Sequence, residues 1–182
     1  TELQDTQIEL FWDTHKHAFF STPADQPDIL VRTKDGMDNA EPSVNGLAAY
    51  NLHWLGSLLD DQKYTKLAAR TLAAFEVEIS QHPGLFSGML VSVVATKLGA
   101  NCLMISGEGE LAEKALRVVR SGVRPTCTVI RIGAGSKETE WLAERNELIK
   151  GLNADKEFVQ LCEGSSCRIL DSAGIDEYFG SA

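Results

Sequence analysis

Asp38 and Glu41 stand three residues apart in a polar segment. In a loop, that spacing lets two carboxyl groups approach the separation used in glycoside cleavage. Such a pair divides the work. One carboxyl, kept protonated by burial and by its like-charged neighbour, donates a proton while the other stays ionised. Arg32, Lys34, Asp35, Ser43 and Asn45 crowd the same segment, which contains a Gly and a Pro and runs directly into the apolar stretch Leu47–Leu59. A dense polar mouth over a buried helix is how a ligand pocket is built. Pro42 suits a first helical turn, and the N–H groups behind Pro42 and Ser43 favour an anion or a sugar oxygen. His53, roughly two turns beyond Asn45, could face it or line a cavity. Trp12, Tyr50 and Trp54 offer flat faces to a sugar ring. Asp38 and Glu41 are therefore the expected catalytic pair, and Arg32, Lys34, Asp35, Ser43, Asn45 and His53 the expected ligand-binding residues. Each has a plainer alternative. Lys34 and Arg32 could hold the carboxylates as ion pairs, His53 could be a satisfied core histidine, and the segment could be a solvated loop before a capped helix.

The four cysteines are too few and too scattered to build a fold from disulfides. Cys102 and Cys127 lie in apolar, strand-like runs and read as small buried hydrophobes. Cys162 and Cys167 flank a turn, Glu163–Ser166, so a hairpin could bring their sulfurs together. A disulfide, half a zinc site and two plain thiols all fit. Plain thiols are expected, with a redox-sensitive pair as the second reading. His15 and His17 share one side of an extended segment, but no third ligand is indicated, and no metal is expected. The stretch Gly107-Glu-Gly-Glu-Leu-Ala112 matches a dinucleotide fingerprint after a strand. Its Glu108 and Glu110 would oppose phosphates, so a tight strand–helix turn is expected instead, and no cofactor.

The period of the apolar residues changes near Gly99. Before it the pattern is helical. A short helix is expected over Gln4–Asp13, then a helix over Asn45–Leu59 that is apolar nearly all round and so buried. A third, amphipathic helix follows, with Tyr64, Leu67, Ala68, Thr71, Leu72, Phe75 and Ile79 on its inner face. Pro83 starts another, with Phe86, Met89, Leu90 and Val93 as candidate core. After Gly99, strands are expected at Asn101–Ser106, Thr126–Ile132, Glu157–Cys162 and Cys167–Ile169. Helices are expected at Glu110–Arg120, Lys137–Ile149 and Asp171–Phe179. Strands alternating with helices imply a small, mainly parallel sheet. The expected fold class is α+β: residues 1–99 as part of an α/α toroid of helical hairpins, then residues 100–182 as a small α/β unit.

The 182 residues carry a formal net charge of −9, with 43% apolar and 24% charged side chains. That is an ordinary globular composition, and its acidity argues against nucleic acid and anionic membranes as partners. No apolar run approaches the length of a membrane span. The polar, acidic start is unlike a secretory signal, and the absence of an initiating Met fits a processed or trimmed chain.

Phe11-Trp-Asp13, Phe19-Phe20, Leu30–Asp35, Asp38, Ala40-Glu-Pro-Ser43 and Asn45 follow one another in an order, closed by Cys162-Glu-Gly-Ser-Ser-Cys167, that carries a resemblance over nearly the whole chain. The chain resembles the C-terminal part of the thioredoxin-domain-containing family named after a spermatogenesis-associated protein. It departs at His15-Lys-His-Ala18, where that family tends to carry glycines. The resemblance implies a six-hairpin, glycosidase-like toroid and, upstream, a thioredoxin-like domain. By that analogy the segment 32–45 is carbohydrate-active or carbohydrate-binding, with a small sugar as ligand. The alternative is a non-catalytic structural or interaction portion of a larger thioredoxin-linked protein. The upstream part of the same protein or another copy of the chain is the expected partner. The expected setting is cytoplasmic, with an organelle as the alternative.

Overall fold

The computed structural model describes residues 1–99, 101–122, 126–164 and 166–180. The fold is mixed α+β: helical hairpins come first, then a small four-stranded sheet with its own helices. The chain divides into two compact units, Thr1–Gly56 with Asp61–Leu98, and Ser57–Asp60 with Gly99–Ala182.

In the first unit α1 spans Glu2–Phe11, α2 Val44–Leu59, α3 Gln62–Ala73, α4 Glu76–Gln81 and α5 Ser87–Leu98, with a 3-10 turn over Pro83–Phe86. The expected long third helix is two helices. It breaks where Phe75 N–H donates to Leu72 O at 3.1 Å, a tightened last turn that sends the Phe75 ring into the core. That core joins Ala18, Ala49, Leu72, Phe75, Phe86 and Met89. Helix α2 is apolar in composition yet buried on one face only. Asn45, Ala48, Ala49, Leu52 and His53 are inside, while Val44, Leu47 and Tyr50 are 46%, 50% and 38% exposed.

In the second unit β1 is Asn101–Ser106, α6 Glu110–Arg120, β2 Cys127–Ile132, α7 Lys137–Ala143, α8 Glu147–Lys150, β3 Phe158–Glu163, β4 Ser166–Ile169 and α9 Ser172–Phe179. The strand order is β2-β1-β3-β4. Only β1 and β2 run parallel; β3 is antiparallel to both β1 and β4, so the sheet is mixed rather than mainly parallel. Helix length explains the difference. A strand of six residues spans roughly 20 Å, which α6, at roughly 16 Å, nearly retraces to allow a parallel return. Helix α7 spans only roughly 10 Å before the chain breaks at Asn146, whose side chain caps α8, so β3 starts near the end where β2 finished. Both sheet faces are covered. Leu103, Ile105, Val159 and Leu161 pack with α6 and α9, while Cys102, Met104, Ile130, Ile132 and Cys162 pack with α7, α8 and Leu58. Two covered faces make β1 a continuous apolar run.

Candidate functional site

The segment before α2 is held by its own polar groups. Asn45 is fully buried on the first turn of α2. Its Oδ1 accepts from Phe19 N at 2.7 Å, and its Nδ2 donates to Phe19 O at 2.9 Å and to Asp35 O at 2.8 Å. One amide thus ties two loops to the helix, satisfying backbone groups that burial would otherwise leave unpaired. Ser43 caps α2, its Oγ accepting from Gly46 N at 3.0 Å.

Asp38 is engaged through both oxygens. Oδ1 accepts from Ser43 N at 2.9 Å, and Oδ2 accepts from Gly88 N at 2.6 Å, in the first turn of α5. A Cβ at position 88 would lie 2.9 Å from Asp38 Oδ1, so glycine permits this approach. The carboxylate sits at two helix starts, where the partial positive charge of the N–H groups favours it. Glu41 is exposed, and its backbone oxygen accepts from Asn39 N at 3.0 Å. Asp35 contributes its carbonyl to Asn45, while its side chain lies in an exposed residue.

The cations sit elsewhere. Lys34 Nζ pairs with Asp13 Oδ2 at 2.8 Å and also donates to His17 O. Asp13 Oδ1 accepts from His15 N and Lys16 N, at 2.8 and 3.1 Å. The Lys34 hydrogen bond, then those backbone donors, hold the Asp13 carboxyl well below the usual range despite burial. Arg32 donates to Thr22 O at 2.6 Å through Nη2, and its guanidinium lies 3.9 Å from the centre of the Phe20 ring. Neither Arg32 nor Lys34 forms an ion pair with Asp38 or Glu41 among the described residues. His53 is buried, its Nε2 has no partner among the described residues, and burial lowers its pKa.

Asp13 is not among the expected site residues, although it stands in the run Phe11-Trp-Asp13. Its signal is the loop behind it. His17 and Ala18 both adopt positive φ, 62° and 61°, a region that disfavours side chains. The glycines expected there from the resemblance would meet that need without strain. Here the Asp13, Lys34 and Asn45 bonds hold the turn, with Trp12 stacked on His17 at 5.9 Å.

At the glycine motif, Glu157 Oε1 accepts from Ala112 N at 3.1 Å, and a Cβ at Gly109 would lie 2.4 Å from that oxygen. The chain's own carboxylate fills the start of α6. Glu157, from across the unit, is a further obstacle to phosphate beside Glu108 and Glu110. Among the described residues no group of three or more His, Cys, Asp or Glu is placed to hold a metal. No helix among them is long and apolar enough to cross a membrane.

Cys162 and Cys167 face each other in the β3–β4 pairing and are joined as a disulfide, with Cα atoms 4.0 Å apart. This replaces the expected plain thiols. The antiparallel register supplies the reason, because it sets the two Cβ atoms on one face of the hairpin. Ser165, inside the expected turn, lies outside the described residues. Cys102 and Cys127 are buried as expected, and burial pushes the Cys102 thiol up to about 12.

No family model matches the chain. No solved structure matches it. The chain is similar to "Spermatogenesis-associated protein 20" of Rattus norvegicus and of Mus musculus, 28% identical over 170 residues to each. It is also similar to the protein of that name from Homo sapiens, at 27% over 172 residues. The matches cover 91–92% of this chain but only 21–22% of those relatives, so the chain spans about a fifth of their length. The resemblance read from the ordered segments, to the C-terminal part of the family named after that protein, is shown by these matches.

Proposed function

We propose that this chain is a non-catalytic, interaction-bearing portion of a larger thioredoxin-linked protein of helical hairpins. The observation that supports this reading is the outer face of α2. Val44, Leu47 and Tyr50 are large, apolar and exposed on one side of a helix whose other side is core. Apolar residues grouped on one helix face mark a contact surface. The occupant proposed for it is a further part of a longer chain, because the similar relatives are about five times as long as the matched segment. The experiment is sedimentation of the pure chain with and without Leu47→Asp, beside binding of a hydrophobic dye. Dye binding by a monomer that Leu47→Asp abolishes is the expected result. A dimer broken by Leu47→Asp would make a second copy the occupant. A monomer that binds no dye overturns the reading.

A second reading, carbohydrate binding or glycosidase-like catalysis at segment 32–45, draws support from exposed Glu41 and from Tyr50, whose ring meets Trp54 edge-on at 5.9 Å. In it, Asp38 and Glu41 act on a small sugar held by Arg32, Lys34, Asp35, Ser43, Asn45 and His53. The engagement of both Asp38 oxygens counts against a proton-transfer role for that residue. Calorimetric titration with mono- and disaccharides tests this reading. Heats removed by Glu41→Gln would support it, and none at millimolar sugar would end it. A cytoplasmic setting is part of the proposal, and the Cys162–Cys167 disulfide weighs toward a more oxidising one. Thiol mapping on protein quenched directly from its source decides between them.

A further inference from the structure

Three cysteines lie in one row across the sheet. Cys102 on β1 is in register with Cys162 on β3, and Cys162 is in register with Cys167 on β4. Cys102 and Cys162 belong to the same apolar cluster, so their side chains share a sheet face. The hydrogen-bond phase is fixed at both ends. Leu170 N–H donates to Val159 O at 2.7 Å, so the odd-numbered positions of β3 bond to β4, and Cys162 directs its backbone groups at β1. Asn101 N–H donates away from β3, to Thr126 O at 2.9 Å, so its neighbour Cys102 directs its own groups at β3. Cys102 and Cys162 are therefore a hydrogen-bonded antiparallel pair. Such pairs hold their Cα atoms about 5.5 Å apart, inside the Cα range of a disulfide, and their Cβ atoms also about 5.5 Å apart, so the two strands must close by about 1 Å for the bond to form.

We infer that Cys102 is a resolving thiol for the Cys162–Cys167 disulfide, so that the bond can move one strand inward and release Cys167 as a reactive thiol on the edge strand. The step is an exchange without net oxidation. Cys102 gives its proton to water, and its thiolate attacks Cys162 Sγ. The Cys102–Cys162 bond forms as the Cys162–Cys167 bond breaks, and Cys167 leaves as a thiolate that takes a proton from water. Exchange of this kind needs attacking, central and leaving sulfurs in line, and the register sets the three cysteines in that order across the sheet. Exposure sets the direction of use. Cys102 and Cys162 are buried at 5% and 2%, whereas every residue of β4 is exposed. The released sulfur is thus the one that solvent and other thiols reach. Burial also makes the Cys102 thiolate scarce, so the bond rests at the edge and moves when the sheet edge opens.

Two measurements on the full chain test this. In Cys167→Ser, treated with diamide and digested in acid, the expected main disulfide peptide is Cys102–Cys162. Recovery of both as thiols, or of Cys162 joined to Cys127, overturns the inference. In the unreduced wild-type chain held at pH 8 with iodoacetamide, Cys167 should become alkylated while Cys102 and Cys162 are recovered joined. Replacing Cys102 with Ser should lower Cys167 labelling at least tenfold. Labelling that is absent in the wild type, or unchanged in Cys102→Ser, overturns the inference whatever the first measurement gives.

Discussion

Asn45 uses its whole side-chain amide, one acceptor and two donors, on backbone groups of Phe19 and Asp35. Replacing it with Ala leaves the Phe19 backbone groups buried and unpaired and removes the bond to Asp35 O, a change that costs about 2–4 kcal/mol when several bonds go together. Urea denaturation should show a loss of that size, and a loss below about 1 kcal/mol would mean that water replaces the amide. Asp13 and His53 both contribute to acid sensitivity. The fold holds the Asp13 carboxyl below its ordinary value of 3.8, chiefly through Lys34, so the stability it brings is complete above that value and fades as pH falls below it. His53 is also held below its ordinary 6.5, by burial, so its cost begins once pH drops under that value. Stability followed from pH 8 to pH 3 should therefore decline in two stages. His53→Phe should flatten the first and Lys34→Met the second. An unchanged profile in both variants would refute the assignment. At this scale the sequence was legible in residue choice and not in partnership. Asn45, Ser43, Asp38 and Lys34 stood out as polar groups beside an apolar helix. Apart from the local bonds of Ser43 with Gly46 and Asp38, their bonds reach Phe19, Gly88 and Asp13, which are distant in sequence, so spacing alone could not reveal them.

At the scale of elements, helix starts explain more than loops do. Asp38 accepts from Ser43 before α2 and from Gly88 at the start of α5, so one carboxylate joins the starts of two helices, more than forty positions apart in sequence. Asp38→Asn would place an amide N–H against one of those donors. The expected loss is about 1–2 kcal/mol, while Glu41→Gln, at an exposed position, should change stability by less than about 0.5 kcal/mol. Thermal unfolding of the two variants tests the contrast. Equal effects would show that Glu41 shares the structural role. Helix α2 and the first two strands follow their apolar patterns because length and periodicity agree there. The third helix did not, because the break at Phe75 leaves no Gly or Pro to mark it. Strand order and direction were also illegible. Alternation of strand and helix is the same for both senses, and only the length of α7 before Asn146 decides between them.

At the scale of the molecule, each unit buries its own core. Met89 and Phe86 anchor the first, and Leu103, Ile105 and Leu161 anchor the second. Covalent continuity runs through α2, whose last turn belongs to the second unit. Ser57 Oγ accepts from Thr128 Oγ1 at 2.8 Å, and Leu58 O accepts from Asn146 Nδ2 at 2.8 Å. A fully buried methionine cut to alanine costs about 2–5 kcal/mol. Met89→Ala should therefore lower the midpoint of the first unit's unfolding by urea, read by Trp12 and Trp54 fluorescence in a Trp141→Phe background. The second unit has a separate probe in Cys102, read in a Cys162→Ser, Cys167→Ser background so that no exchange consumes it, buried at 5% and open to labelling only when the sheet opens. If each core stands on its own, Met89→Ala shifts the fluorescence midpoint and leaves the urea dependence of Cys102 labelling where it was. Leu103→Ala does the reverse. Equal shifts of both probes in either variant would show that the shared helix makes the two units unfold as one.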